Sequence, residues 1–273
     1  MPDMMRLANR TAVITGAGSG IGRGLALALA RRGCHLALAD MDASGLAETV
    51  SQLPTGLRVS SHVLDVADRA AVAALPATVL SAHGQVDVLV NNAGVALGGT
   101  FEQVAADDFD WLMEINFGAV VRLTRAFLPL LRASDDARLV NLSSVFGLVA
   151  PAEQVAYAAS KFAVRGFTEA LRHELVGSTV GVTVVHPGGV RTNISERARA
   201  PRDIDPAEVQ RRRAQFRKFL RMPPNEAGEI IARGIERRQQ RILVGTDAKV
   251  LSLLVRLMPV RYWDLMRMTL PSA

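Results

Sequence analysis

The sequence has a single cysteine, Cys34, so it can form no internal disulfide and no cysteine-based zinc site, and a reducing compartment is expected. It has no apolar run approaching the roughly 20 residues needed to cross a bilayer. The N-terminus, Met1-Pro2-Asp3-Met4-Met5-Arg6, has no apolar signal segment and leads directly into a strand pattern, as expected of a cytoplasmic protein. The five histidines, at 35, 62, 83, 173 and 186, show no metal-ligand spacing and read as structural, so no metal is expected. Internal repeats and low-complexity linkers are also missing.

What is present is enough apolar sequence for a full core. Across 273 residues the chain is 49% hydrophobic with 22 glycines, which excludes disorder and fits one large α/β domain. Short β-branched or apolar runs at 11–15, 35–39, 58–63, 88–90, 138–142 and 181–186 predict strands. Between them, helical patterns fall near 20–32, 43–53, 68–82, 107–132 and 156–176. That alternation predicts a doubly wound, Rossmann-like parallel sheet of about seven strands, with helices on both faces and ligands beyond the carboxyl ends of the strands.

After residue 194 the pattern changes. Residues 195–222 are polar and arginine-rich, and Pro223-Pro224 ends them. A helix capped by Asn225 is expected over 225–239, with Glu226 and Glu229 in its early turns, followed by a seventh strand at 241–244. The division is a core over about 8–195 and 224–246, a helical segment at about 195–222, and a helical C-terminal extension over about 247–273. Charge divides in the same place: residues 1–194 carry 15 basic and 17 acidic side chains, residues 195–273 carry 17 and 9. The excess basicity of the last third reads first as a solvated arginine-rich surface.

The first strand runs into Thr15-Gly16-Ala17-Gly18-Ser19-Gly20-Ile21-Gly22, which opens a helix. Glycines there let backbone approach a pyrophosphate that the helix N-terminus stabilises. No Gly-Lys-Ser/Thr follows, so a nucleotide-triphosphate loop is excluded. The G-x-G-x-x-G spacing also fails, because Ile21 stands at the last glycine, and G-x-x-x-G-x-G fits instead. Glycines kept only for tight helix–strand packing are the competing reading. Asp40, 24 residues beyond Gly16, ends the second strand. Its carboxylate can accept from adenosine ribose hydroxyls and would repel a 2′-phosphate, which favours NAD over NADP. Asp65 after the third strand is either an adenine contact or a helix cap.

Tyr157 and Lys161 lie four residues apart, about one helical turn, so both act from one helix face. A phenol has a reference pKa of about 10, and an adjacent ammonium lowers it toward the working range of an acid/base.

With these features goes an ordered set of motifs: Thr15–Gly22, Asn91-Asn92-Ala93-Gly94, Asn116, Asn141-Leu142-Ser143-Ser144, Tyr157–Lys161 and Pro187-Gly188. On them the chain resembles the short-chain dehydrogenase/reductase (SDR) family, over residues 10 to about 195 and less distinctly to 245. The resemblance implies a catalytic set. Ser144 hydrogen-bonds the substrate oxygen and Tyr157 exchanges the proton. Lys161 binds the nicotinamide ribose and lowers the Tyr157 pKa, and Asn116 holds a water that links Lys161 to solvent. Expected cofactor contacts are Gly16, Ser19, Gly20, Ile21, Gly22, Asp40, Asp65 and Val66, then Asn92, Ala93 and Gly94 on the adenosine side, with Tyr157 and Lys161. Pro187, Gly188, Val190 and Thr192 would hold the carboxamide end. Ala119 stands where the family usually has glycine, and Gly189 and Arg191 make the loop after Pro187 unusual. Spacing favours Ser144 over Ser143.

The resemblance places a substrate lid at 195–222 and implies a homodimer or homotetramer through helices 107–132 and 156–176. For the apolar set from Leu251 to Met268, broken by Pro259, three readings stand: packing on its own core or a partner subunit, a cap over a hydrophobic pocket, or contact with an anionic membrane surface through Arg256, Arg261 and Arg267. The leading activity is NAD-dependent interconversion of a secondary alcohol and a ketone, on a lipid-, steroid- or terpenoid-like substrate, with no nucleic acid as partner. The rivals are an NADPH-dependent 3-oxoacyl (carrier-protein) reductase and a non-catalytic dinucleotide sensor.

Overall fold

Strands β1 (Thr11–Thr15), β4 (Val88–Asn91) and β5 (Ala137–Leu142) are buried at every position, which is why they read as continuous apolar runs and not as alternating ones. With β2 (His35–Asp40), β3 (Val59–Val63), β6 (Val180–Pro187) and β7 (Arg241–Val244) they form one parallel sheet, ordered β3-β2-β1-β4-β5-β6-β7. Register is direct, Ile14 facing Leu38 on one side and Val90 on the other. The strand order reverses between β1 and β4, so the loops leaving these two strands diverge and open a crevice. The computed structural model describes residues 4–201 and 204–269.

Helices cover both faces. On one, α1 (Gly20–Ala30), α2 (Ala43–Ser51) and α8 (Pro224–Glu236) bury Leu25, Leu29, Leu46, Ile231 and Ile235 against the sheet. A Cβ on Gly24 or Gly228 would overlap backbone of the facing helix, so α1 and α8 touch through their main chains. On the other face α3 (Arg69–His83) and α5 (Ala119–Ala133) contribute Val72, Val79, Leu123 and Phe127, beside α6 (Val155–Glu174).

Several expectations are corrected. The helix expected over 107–132 is two, α4 (Ala106–Met113) and α5, joined by a π-helical turn at Glu114–Gly118 that contains Asn116. Such turns insert a residue and re-aim the side chain they carry. Asn225 does not cap α8: the helix begins at Pro224, with Pro223 in the cap position. A proline there lacks only an N–H that would have no helical partner anyway. The lid segment is helical as expected: α7 (Pro206–Arg217) lies in it, capped by the Asp205 carboxylate on Ala207 N at 3.0 Å. The C-terminal extension is helical as expected, α9 spanning Thr246–Leu257 and α10 Tyr262–Thr269. Positions 202, 203 and 270–273, and the side chain of Met268, lie outside the described residues.

Candidate active site

Glycine does two different jobs in the loop after β1. Gly16 and Gly20 have φ of 65° and 54°, where a side chain would be strained. Gly22 is needed for packing: a Cβ there would overlap the Gly16 carbonyl oxygen. The packing and phosphate readings therefore apply at different glycines. Ser19, at the cap position of α1, makes no side-chain capping bond, so it leaves the first-turn N–H groups to a pyrophosphate. Ile21 packs on the core below.

Asn92 latches this loop to β4. Its Nδ2 donates to Thr15 O at 2.8 Å and Gly16 O at 3.0 Å, while Thr15 Oγ1 accepts from the N–H of Asn92 and of Ala93, each at 3.1 Å. The Asn92 side chain thus shapes the crevice and leaves none of its amide hydrogens over for adenosine. Asp40 accepts from Gly18 N at 2.8 Å and Asp42 N at 3.0 Å, one bond to each oxygen, which leaves two of its about four lone-pair sites for ribose hydroxyls. Asp65 is exposed and closes a turn on Ala67 N at 2.9 Å. The α3 cap expected of it is Asp68 instead, which accepts from Ala70 and Ala71. Val66 is buried, and its carbonyl receives Arg122 at 3.2 Å.

Beyond β5, Ser143 and Ser144 separate cleanly. Ser143 Oγ donates to the Lys161 carbonyl at 2.8 Å and is buried. Ser144 Oγ accepts from Phe146 N at 3.1 Å and its hydroxyl lies within hydrogen-bonding reach of the Tyr157 phenol, so the two hydroxyls can share one substrate oxygen. Tyr157 is half-buried from α6 and meets Phe146 edge-on at 6.0 Å. Burial raises its pKa, and the Ser144 bond opposes the rise. The lowering expected from Lys161 is not seen. Lys161 Nζ donates to Leu142 O at 3.2 Å and lies 5.7 Å from the Tyr157 ring centre, and burial alone pushes its own pKa down to about 8.

Asn116 is fully buried on the π-turn. Its amide pairs with both Val95 N (2.8 Å) and Val95 O (3.0 Å), and its Nδ2 also donates to Ser160 Oγ at 3.1 Å. Asn116 Oδ1 and Lys161 Nζ both border the open face of Gly94, 3.1 and 3.5 Å from where a Cβ would stand. Asn116, Lys161 and Gly94 are thus brought together.

The loop after β6 closes the site. Pro187 ends the strand, Gly188 N donates to Val244 O at 2.9 Å, and Val190 bridges Met222. Thr192 Cγ2 lies 3.0 Å from the position of a Cβ on Gly20, so this loop meets the glycine loop. Gly189, unusual in the sequence, is explained: a Cβ would overlap the Phe219 carbonyl, and its N–H bonds the Asp247 carboxylate at 2.6 Å.

Some residues carry more than the sequence reading assigned them. His186 is fully buried and hydrogen-bonds the Ser144 carbonyl at 2.9 Å through Nδ1, directly beneath the Ser144 turn. A carbonyl only accepts, so Nδ1 carries the proton. Asn91 and Asn141 form a buried chain across β4 and β5, Thr124–Asn91–Asn141–Thr168, that ties α5 to α6. Asp247 and Arg199 were invisible because their partners lie 58 and 91 residues away.

Comparison with known proteins agrees with this architecture. The short chain dehydrogenase family model matches residues 10–203. SadH of Mycobacterium tuberculosis, named as an oxidoreductase, is 43% identical over 264 residues, covering 95% of this chain and 94% of that one. The oxidoreductase UcpA of Escherichia coli K12 is 39% identical over 84% of this chain and 88% of its own length. A short chain dehydrogenase/reductase from Burkholderia phymatum, solved in complex with NAD, superposes with a TM-score of 0.83 at 32% identity, covering 93% and 95% of the two chains. The chain belongs to the short-chain dehydrogenase/reductase family and is an oxidoreductase.

Proposed function

We propose that the protein interconverts a secondary alcohol and a ketone with NAD, on a hydrophobic substrate. The observation that carries this reading is the Ser144 hydroxyl within hydrogen-bonding reach of the Tyr157 phenol, one helical turn from buried Lys161. The glycine cradle, the uncapped start of α1 and the Asp40 carboxylate fit a dinucleotide, which when bound supplies the hydride carrier. In the oxidation direction, Ser144 donates to the substrate oxygen while Tyr157, acting as the phenolate, takes the hydroxyl proton. The carbon-bound hydrogen leaves with its electron pair, and the C–O bond gains double-bond character. Lys161 orients the ribose and Asn116 holds the proton outlet. An apolar cluster that takes in Val95, Leu97, Val104, Phe109 and Trp111, and on which Tyr157 also packs, supports an apolar substrate.

Asp40 supports NAD over NADP. The lid arginines weigh against the carrier-protein reductase, because Arg197, Arg199, Arg212 and Arg217 are paired to Asp42, Asp108, Glu153 and Glu196 of this same chain. Against a sensor stands the preserved Asn116, Ser144, Tyr157 and Lys161 set. An exposed stripe on α6, Val155, Ala159, Phe162 and Gly166, supports a homo-oligomer, and light scattering showing a strict monomer would refute it. The test of function is a panel of apolar alcohols with NAD and NADP, on wild type and Tyr157→Phe. Turnover with NAD that falls at least about a hundredfold in the variant is expected. Unchanged turnover would defeat the assigned chemistry, and a preference for NADP would defeat the Asp40 argument.

A further inference from the structure

The last two helices present an exposed face that combines apolar side chains with cations. Positions 250, 253 and 257 follow the spacing of one helix face, and Val250, Leu253 and Leu257 are 59%, 57% and 71% exposed. Further along the same segment, Val260 and Leu265 are 86% and 42% exposed. The opposite side of α9 faces inward, with Ala248 fully buried. Interleaved with the exposed apolar residues are Lys249, Arg256, Arg261 and Arg267, and Asp264 is the only carboxylate from 248 to 267. Arg261 and Arg267 flank that carboxylate at 3.7 and 3.6 Å, whereas Lys249 and Arg256 have no ion-pair partner among the described residues.

A helix face left to water carries polar groups. A two-fold contact with a second copy would set this cationic patch against the same patch of the other copy. The lid shows what cations matched to protein look like here: on α7, Arg212 is paired with Glu208 and Glu153. The remaining occupant is a surface that accepts apolar side chains and brings its own negative charge. We infer that α9 and α10 form a docking surface for anionic lipid, with Val250, Leu253, Leu257 and Val260 entering the acyl boundary and the four cations meeting headgroups. The surface adjoins the site, since Tyr262 Oη accepts from Ala150 N at 3.1 Å in the loop between the Ser144 turn and α6.

Co-sedimentation of the full chain with vesicles of phosphatidylcholine, with and without phosphatidylglycerol, tests this. Binding at least about fivefold greater with phosphatidylglycerol, weakened by salt, is expected. The paired variant Leu253→Asp and Leu257→Asp should reduce that binding about tenfold or more while leaving its turnover of a water-soluble alcohol unchanged. No wild-type sedimentation, or equal binding to both vesicles, overturns the inference. So does a variant whose binding is unchanged. Loss of oligomer size in the variant, without any vesicle binding by wild type, would assign the face to a second copy instead.

Discussion

The first two-thirds of the chain and the last third place their polar groups differently. Up to about residue 195 the groups that matter are turned inward and bonded to main chain: Asn92 to Thr15 and Gly16, Asn116 to Val95, Ser143 to Lys161 and His186 to Ser144. From Arg197 onward, arginines reach across the surface to carboxylates far away in sequence. A backbone-bonded network has one arrangement, because leaving its buried groups unpaired is expensive. A surface of exposed ion pairs has several arrangements of nearly equal energy, each pair contributing about 0–1 kcal/mol. The first region can hold a reacting geometry, and the second can open and close over it.

The largest effect should come from breaking the inner network at its tightest point. Gly22→Ala would drive a methyl into the Gly16 carbonyl and to within 2.6 Å of Asn92 Nδ2, disturbing the cradle and its latch together. Affinity for the dinucleotide should fall at least about a hundredfold, roughly 2.7 kcal/mol, in a calorimetric titration. Wild-type affinity would show that the cradle does not hold the cofactor.

Next in size is His186. Asparagine places an amide donor near the Nδ1 position, whereas glutamine reaches the Nε2 position, so two polar variants of one site differ only in whether Ser144 O keeps its donor. His186→Gln should lower kcat about tenfold with the cofactor KM unchanged, and His186→Asn should recover most of it. Equal losses in both would reduce His186 to a packing residue. Its titration adds a second measurement. Burial pushes the pKa down to about 4 from an ordinary 6.5, so the native state refuses a proton that the unfolded chain accepts. Stability from this group is therefore complete above about pH 6.5 and lost as pH falls toward 4, up to about 3 kcal/mol. Chemical denaturation of wild type and His186→Asn across that range should show the shallower slope in the variant.

The two regions were also unequally legible. Strand positions, the glycine loop and the order of motifs could be read because each depends on residues close together in sequence: β-branched runs make buried strands, and Gly16 and Gly20 mark backbone that only glycine takes easily. Asp40 was found by its distance from Gly16 for the same reason. The π-turn at Asn116 was not legible, since Asn116 bonds Val95, a partner 21 residues away on another element. The direction of the Tyr157 pKa was misread because burial, a three-dimensional quantity, outweighs a charge inferred from helix spacing. Asp247 reaches Gly189 from outside the segment that the motifs cover, and no local pattern announces it.

The smallest expected effect lies at the junction of the two regions. Arg199 lies in the lid segment, and its main chain is fixed to the core: Arg199 N donates to Ala96 O at 3.0 Å and Gly98 N to Arg199 O at 3.2 Å. Its guanidinium stacks 3.6 Å from the Trp111 ring centre and pairs with Asp108 at 2.7 Å. Arg199→Ala removes the stack and the pair but keeps both backbone bonds, so the loss is about 1 kcal/mol for two half-exposed contacts. If lid closure over the apolar cluster contributes to substrate binding, the KM for an apolar alcohol should rise about fivefold while the cofactor KM stays fixed. Trp111 lies beneath the guanidinium, so its fluorescence should change in the same variant. An unchanged substrate KM with changed fluorescence would mean that the lid moves without governing access, and the contrast between a rigid inner network and an adjustable outer one would then be structural only.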